Sequence, residues 1–281
     1  MILSSISIYP IKSLKGISLD SAKVEERGLQ YDRRWMLTDA EGMFFTQREF
    51  PRMALIEVGI ETDALTITAD GFGRMEIPLL PETDDMRQVS IWQSVCRGEV
   101  YPATVNEWFS DVLETDCHLV YMPDDSRRSV NPRFNRGGDV VSFADGYPLL
   151  VIGEASLNDL NSRLAEPLPM NRFRPNLVVS GCEAFAEDAW KRICINDAIF
   201  RSTKPCERCV ITTVDQSTGL IAGKEPLKTL ASYRLAKMVI PERLSSLGVG
   251  ATAVLFGQNL IAESAGWVVR VGESIEILER F

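Results

Sequence analysis

Histidine is almost absent from this sequence, and its scarcity excludes several kinds of active site. His118 is the only histidine among 281 residues. A hydrolase triad needs a histidine base, and a structural zinc site usually needs four cysteine or histidine ligands. A lone histidine beside a cysteine on a strand-like stretch is more often packed than catalytic. We therefore assign His118 no catalytic role.

Long hydrophobic runs and glycine-rich fingerprints are also missing. No apolar stretch approaches the roughly 20 residues that a membrane-spanning helix needs. The start of the chain, 1–10, lacks a basic segment followed by an apolar core. The glycine pairs Gly137-Gly138 and Gly248 with Gly250 match no phosphate-binding fingerprint. The sequence thus predicts a cytoplasmic protein with no membrane partner, and it does not support a nucleotide-binding fold.

Positive charge is in deficit overall but concentrated locally. The 30 lysines and arginines are outnumbered by 39 acidic residues, which gives a net charge of −9. Such a balance argues against nucleic acid or an anionic membrane as the main partner. Closely spaced arginines suit either a small anion or surface ion pairs. They occur at Arg33 and Arg34, Arg127 and Arg128, Arg133 and Arg136, and Arg172 and Arg174.

Short β-prone segments separated by turns dominate the sequence, and its composition is that of a folded protein. The pattern predicts a mainly β protein of the α+β class. We place an N-terminal β-rich domain over 1–122 and a C-terminal barrel over 123–281. After Thr104 the spacing of Val105, Phe109 and Val112 predicts an amphipathic helix. Another helical stretch is predicted over 228–237.

The segment Cys206-Glu207-Arg208-Cys209 concentrates reactive groups. An arginine beside a cysteine favours the thiolate, and a planar guanidinium also suits phosphate. The β-prone residues that follow, 210–214, predict a strand that begins directly after Cys209. The Cys-x-x-Cys spacing alone leaves structural zinc, dithiol redox chemistry or a single reactive thiol open.

A second polar cluster precedes a predicted strand. The segment Asn171-Arg172-Phe173-Arg174-Pro175-Asn176 contains two guanidinium groups and two amides within six residues. Such groups can bind phosphate and hydrogen-bond the edge of a heterocycle. The same segment could also be a polar turn with solvated arginines.

Taken together, these segments resemble MOSC-domain proteins that also contain a MOSC N-terminal β-barrel, the group of the mitochondrial amidoxime-reducing component and its bacterial relatives. The resemblance covers nearly the whole chain. Its specificity comes from the order of several motifs. They are Tyr9-Pro10-Ile11-Lys12-Ser13, Asp32-Arg33-Arg34-Trp35, Glu154-Ala155-Ser156-Leu157, the segment 171–180, the segment 206–219 and Lys224-Glu225-Pro226-Leu227.

The resemblance implies a molybdenum cofactor, Mo-molybdopterin, whose metal is bound by the thiolate of Cys209. Cys206 would not be a ligand. The general preferences of metals for protein ligands would not by themselves have indicated molybdenum. By position, six further residues match those that hold the phosphate and the pterin in the family. They are Lys12, Ser13, Arg33, Arg174, Asn176 and Arg208.

The resemblance also implies an activity, the reduction of hydroxylamines, amidoximes and N-hydroxylated nucleobases to amines or amidines. The cofactor would carry the difficult step. Because no cysteine cluster follows Cys209, electrons would arrive from a separate ferredoxin or flavoprotein reductase. Asp215 and Glu225 flank the motif and are candidate proton donors, but we assign neither of them a catalytic role.

Two other functions are compatible with the same cysteines. The protein could carry the molybdenum cofactor, or transfer sulfur, through Cys209. It could instead be a dithiol oxidoreductase that uses Cys206 and Cys209 together, in which case loss of either cysteine would be equally harmful.

Overall fold

Strands dominate residues 1–221 and 223–281, the part of the chain that the computed structural model describes. In chain order, strands β1 to β18 are Ile2–Ile8, Ile17–Leu19, Ser21–Glu25, Gly28–Leu29, Trp35–Thr38, Glu57–Ile60, Ala64–Ala69, Gly73–Pro78, Met86–Ile91, Ser94–Val100, His118–Tyr121, Leu149–Gly153, Leu177–Ser180, Trp190–Ile195, Ala198–Glu207, Leu255–Ala262, Val268–Arg270 and Ile275–Arg280. The mainly β, α+β prediction is confirmed.

Helices are few and mostly short. The α-helices α1 to α5 are Ala103–Leu113, Glu154–Asn161, Leu227–Ala231, Ala236–Val239 and Leu244–Leu247. Single 3-10 turns occupy Pro51–Leu55, Met170–Phe173, Ala186–Ala189, Val210–Thr213 and Pro241–Arg243. None of the helices within the described ranges is long and apolar enough to cross a membrane.

Strands from both ends of the chain share the largest sheet. Its order is β18-β14-β15-β16-β12-β13-β1-β2. Strand β1 pairs antiparallel with β13, whereas β12 and β13 run parallel. This pairing places the loop after β1 next to the turn that precedes β13. The division of the chain at residue 122 stays a proposal about folding units, because the sheet itself draws on both parts.

The first half of the chain forms smaller sheets around its own core. One has the order β5-β11-β10-β9 and another the order β6-β7-β8. Helix α1 packs against this core through Val105, Phe109 and Val112, as predicted, although it begins at Ala103 after Pro102 and not after Thr104. A separate core lies in the large sheet, around Val151 and Phe200.

The predicted strand over 210–214 is wrong. Strand β15 ends at Glu207, and Val210–Thr213 form a 3-10 turn. The hydroxyl of Thr212 donates to the carbonyl of Cys209 and that of Thr213 to the carbonyl of Val210, at 3.0 and 2.7 Å. Such local bonds give the backbone an alternative to a sheet ladder. Cys209 therefore lies beyond the end of a strand, as the extended residue that caps the start of this turn.

The helical stretch predicted over 228–237 is also interrupted. Helix α3 ends at Ala231, and α4 begins only at Ala236. The intervening Leu235 is extended, with ψ at 141°, and it forms a bridge with Val254. Tertiary pairing with the approach to β16 thus overrides the local helical pattern.

Candidate functional site

A single cavity brings together every residue that the family resemblance selected. Its lining includes Lys12, Ser13, Arg33, Arg174, Asn176, Arg208 and Cys209. These residues come from four separate stretches of the chain: the loop after β1, the turn before β5, the turn before β13 and the segment after β15. Their roles as cofactor ligands remain predictions. Their shared cavity is a structural observation.

The cavity wall is strongly cationic. Its lining contains five cationic side chains, Lys12, Arg33, Arg172, Arg174 and Arg208, but two carboxylates, Asp145 and Glu207. Nη2 of Arg174 and Nε of Arg208 are buried and have no hydrogen-bond partner among the described residues. A buried donor without an acceptor costs about 1–3 kcal/mol. The donor set therefore fits an anionic ligand with several acceptor oxygens.

Arg33 and Asn176 are held by one buried network. Asp32 accepts hydrogen bonds from the Tyr9 backbone N–H at 2.8 Å and from Nη1 of Arg33 at 2.6 Å. Nη1 of Arg33 also donates to Oδ1 of Asn176 at 3.1 Å. Burial raises the pKa of Asp32, and the Arg33 guanidinium opposes that rise. The network thus joins the first strand region to the turn before β13.

The Tyr9 ring supports two of the predicted cofactor-binding arginines. The Cζ atoms of Arg33 and Arg174 lie 4.3 and 4.1 Å from its centroid. The Tyr9 hydroxyl donates to the carbonyl of Pro175 at 3.1 Å. Cation–π contacts of this kind stabilise a guanidinium without using up its N–H donors. Both arginines therefore keep donors for a ligand.

Three of the predicted site residues have a left-handed backbone. The φ angles of Ser13, Arg33 and Arg174 are 68°, 50° and 53°. For residues other than glycine this conformation costs on the order of 1–3 kcal/mol, and it persists only where the surroundings enforce it. Such strain concentrates at functional sites.

The two thiols have different partners. Nη1 of Arg208 lies 2.9 Å from Cys206 Sγ, and Nη2 of Arg208 donates to the carbonyl of Phe173. Cys209 Sγ instead lies 3.5 Å from Nη2 of Arg48. All six cysteines are free. These environments favour distinct roles for Cys206 and Cys209 over an interchangeable dithiol.

Arg172 fixes the turn that directly follows Cys209. Its Nη1 donates to the carbonyl of Thr213 at 3.1 Å and its Nη2 to Oδ2 of Asp215 at 2.7 Å. Hydrogen bonds from the Ser217 side chain and backbone, together with Arg172, lower the pKa of Asp215 to about 2. Asp215 is thus an ionised structural carboxylate. Glu225 accepts from the Thr229 N–H at the start of α3, so both flanking acids have structural partners.

Sequence reasoning assigned no role to Tyr9, Arg48 or Asp145. Asp145 lies in the cavity wall, and Oδ1 accepts from Lys12 Nζ at 2.5 Å. Burial lowers the pKa of Lys12 to about 8, even though Asp145 opposes that shift. Desolvation by the surrounding protein would raise the pKa of Asp145, whose side chain is 53% exposed, but the Lys12 and Arg48 cations hold that pKa well below its usual range. No local motif marks Asp145, because its partners are far away in sequence.

We expect anion binding in this cavity to weaken above about pH 8. Lys12 attracts an anion only while it is protonated, and its pKa is lowered to about 8. Isothermal titration of the cofactor-free protein with sulfate, whose charge is constant here, should give roughly tenfold weaker binding at about pH 9.5 than at about pH 7. Lys12→Met should remove most of this pH dependence. If sulfate affinity depended on pH in Lys12→Met as it does in wild type, Lys12 would not be the group responsible.

The lowered pKa of Lys12 also makes the stability of the cofactor-free fold depend on pH. In contrast to anion binding, stability increases as the pH rises. Charged Lys12 is disfavoured by burial, so this penalty is fully present below about pH 8. It is relieved as the pH rises from about 8 towards the ordinary lysine pKa of about 10.5.

Comparisons with known proteins cover almost the whole chain. Residues 1–116 match the MOSC N-terminal beta barrel domain and residues 138–276 match the MOSC domain. Mitochondrial amidoxime-reducing component 1 of Mus musculus is 37% identical over 98% of this chain and 82% of its own length. The Homo sapiens component 1 is 32% identical with the same coverage, and component 2 of Rattus norvegicus is 34% identical over 97% and 82%. These matches confirm the resemblance drawn from the sequence motifs.

Proposed function

Because the chain belongs to the MOSC-domain family that includes the mitochondrial amidoxime-reducing components, we propose that it is a molybdenum-cofactor-dependent reductase of N-hydroxylated compounds. Its substrates would be hydroxylamines, amidoximes and N-hydroxylated nucleobases. The names of the relatives support reductive chemistry on amidoximes. The wider substrate range is part of our proposal.

One observation carries the proposal. A thiol, Cys209, shares a cavity with a cationic wall whose buried N–H donors include two without a hydrogen-bond partner in the described part of the chain. A soft thiolate suits a transition metal, and guanidinium groups suit phosphate. An anionic cofactor that contains both a metal and a phosphate satisfies both requirements. A simple dithiol site would not account for the cationic wall of the cavity.

The residues present fit this cofactor. Cys209 would hold the metal, and Lys12, Ser13 and Arg33 would hold the phosphate and pterin from one side of the cavity. Nη2 of Arg174 and Nε of Arg208, which have no hydrogen-bond partner among the described residues, would complete the hydrogen bonds from the other side. When bound, the cofactor would supply the two-electron reduction that protein side chains cannot perform.

The proposed reaction requires an external source of electrons. An amidoxime, two electrons and two protons give an amidine and one water, with cleavage of the N–O bond. We propose a separate ferredoxin or flavoprotein reductase as the donor, because the cysteines of this sequence are too dispersed for a ferredoxin-type cluster. A cytoplasmic location stays a prediction from the sequence, and the relatives are named as mitochondrial.

The test is amidine formation from an amidoxime by cofactor-loaded protein, with reduced methyl viologen as electron donor. We expect one amidine for every two electrons consumed. Fully loaded protein that binds molybdenum but yields no amidine would refute the reductase and favour a cofactor carrier or sulfur-transfer protein. A matched preparation without cofactor is the control.

A further inference from the structure

Five side chains form a closed ring of contacts beside the cavity. Lys12 Nζ lies 2.5 Å from Oδ1 of Asp145 and 5.2 Å from the centroid of the Phe44 ring. Nη2 of Arg48 lies 3.7 Å from Oδ2 of Asp145. The Trp92 ring completes the ring of contacts. Its centroid lies 4.6 Å from Cζ of Arg48 and 5.1 Å from the centroid of the Phe44 ring. The family resemblance selected Lys12 alone from this ring.

Arg48 connects this ring to the reactive thiol. Its Nη2 is 3.5 Å from Cys209 Sγ. A guanidinium has five N–H donors in a rigid fork, so contacts with one sulfur and one carboxylate leave donors for another acceptor. The Arg48 side chain is 20% exposed and can therefore be reached from solvent. An oxygen brought close to Cys209 would meet these donors.

Trp92 occupies a position that ordinarily suits a glycine. It is the first residue of the two-residue loop between β9 and β10, and its φ angle is 55°. Hairpin turns with a left-handed first residue prefer glycine, asparagine or aspartate. A tryptophan there costs on the order of 1–3 kcal/mol. More than half of its surface, 52%, is nevertheless exposed, so core burial does not account for its presence.

We propose that Arg48 and Trp92 form a substrate-positioning wall next to Cys209. Arg48 donates a hydrogen bond to the oxygen of the N-hydroxyl group. Trp92 holds the Arg48 guanidinium by cation–π contact and presents its exposed surface to the remainder of the substrate. The wall thereby favours flat aromatic N-hydroxylated compounds over small aliphatic ones. This inference rests on the proposed function and specifies its substrate class.

The test compares benzamidoxime with acetamidoxime, which differ by a phenyl in place of a methyl group. Trp92→Gly suits the left-handed backbone, so the fold should be retained or stabilised. We expect its kcat/KM for benzamidoxime to fall roughly tenfold, mainly through KM, as for loss of an aromatic stacking surface. Its kcat/KM for acetamidoxime should fall by a clearly smaller factor, because that substrate loses only the support that Trp92 gives to Arg48. Trp267→Leu, which removes another exposed tryptophan, is the control.

Arg48 is tested by substitution with glutamine, which removes the charged fork. Arg48→Gln should lower kcat/KM for both amidoximes by about tenfold or more, as for loss of a charged hydrogen bond. Arg87→Gln on β9, where Arg87 is paired with Asp85 at 2.8 Å, is the matched control. Molybdenum content per chain should stay the same in all four variants, which separates substrate positioning from cofactor loss.

Binding without turnover gives an independent readout. Equilibrium dialysis of loaded protein with benzamidoxime, without an electron donor, should show weaker binding by Trp92→Gly and Arg48→Gln than by wild type. Equal binding and unchanged kinetics in both variants would overturn the proposal that Arg48 and Trp92 position the substrate. Wild type that binds benzamidoxime but reduces neither amidoxime would refute the proposed function, and the dialysis would still decide the role of the wall.

Discussion

Replacement of Cys209 by serine is expected to reduce the activity towards N-hydroxylated substrates by more than about 100-fold. Loss of an outer-sphere partner of a metal ligand already costs about 10–100-fold, and loss of the ligand itself should cost more. Cys209 caps the start of a turn that Arg172 and two threonine hydroxyls hold in place. Serine should therefore preserve the local fold while removing the thiolate. Amidine production and metal content per chain are the measurements.

Cys206→Ser provides the matched control for this prediction. Cys206 contacts Arg208 and not Arg48, so its loss removes one partner of a guanidinium that also bonds to the Phe173 carbonyl. We expect most of the activity and the metal to remain. Equal loss in the two cysteine variants would instead support a dithiol oxidoreductase. Full activity of Cys209→Ser would show that Cys209 is not the metal ligand.

Arg174→Met is expected to affect cofactor binding and protein stability in different ways. Burial lowers the pKa of Arg174 to about 10, and its Nη2 lacks a hydrogen-bond partner among the described residues. Removing this buried charge should not lower the free energy of unfolding of the cofactor-free protein, because the relieved burial penalty offsets the lost contact with Tyr9. Cofactor affinity should fall by roughly 10–100-fold, because a charged donor is lost.

Two measurements separate these effects. Urea unfolding of the cofactor-free protein reports stability, and sulfate titration of the same protein reports anion affinity. Arg174→Lys retains a cation and should recover part of the affinity. A variant that loses stability in proportion to its anion affinity would show that Arg174 is a structural residue.

The sequence was informative where short motifs carry the chemistry. The seven residues chosen through the family resemblance come from four separate segments, and they line one cavity. Helix α1 was also predictable, because its apolar spacing and its packed face coincide. By contrast, 210–214 has the composition of a strand, and local threonine bonds fold it into a turn instead.

The substrate wall could not be predicted from local pattern. Arg48 lies 161 residues from Cys209 in the sequence, and Lys12 lies 133 residues from Asp145. Trp92 belongs to a hairpin loop, where an exposed tryptophan carries no sequence signal by itself. These contacts depend on how the sheets bring distant loops together, so they become visible only in three dimensions.

Molybdenum and pterin content per chain tests the central claim most directly. The protein should be produced in a molybdate-fed host that makes the cofactor, purified gently and analysed beside Cys209→Ser. We predict close to one molybdenum and one pterin per wild-type chain, with the metal lost in the variant. Wild-type protein that contains neither metal nor pterin, although the host supplies both, would contradict the cofactor site and the function built on it.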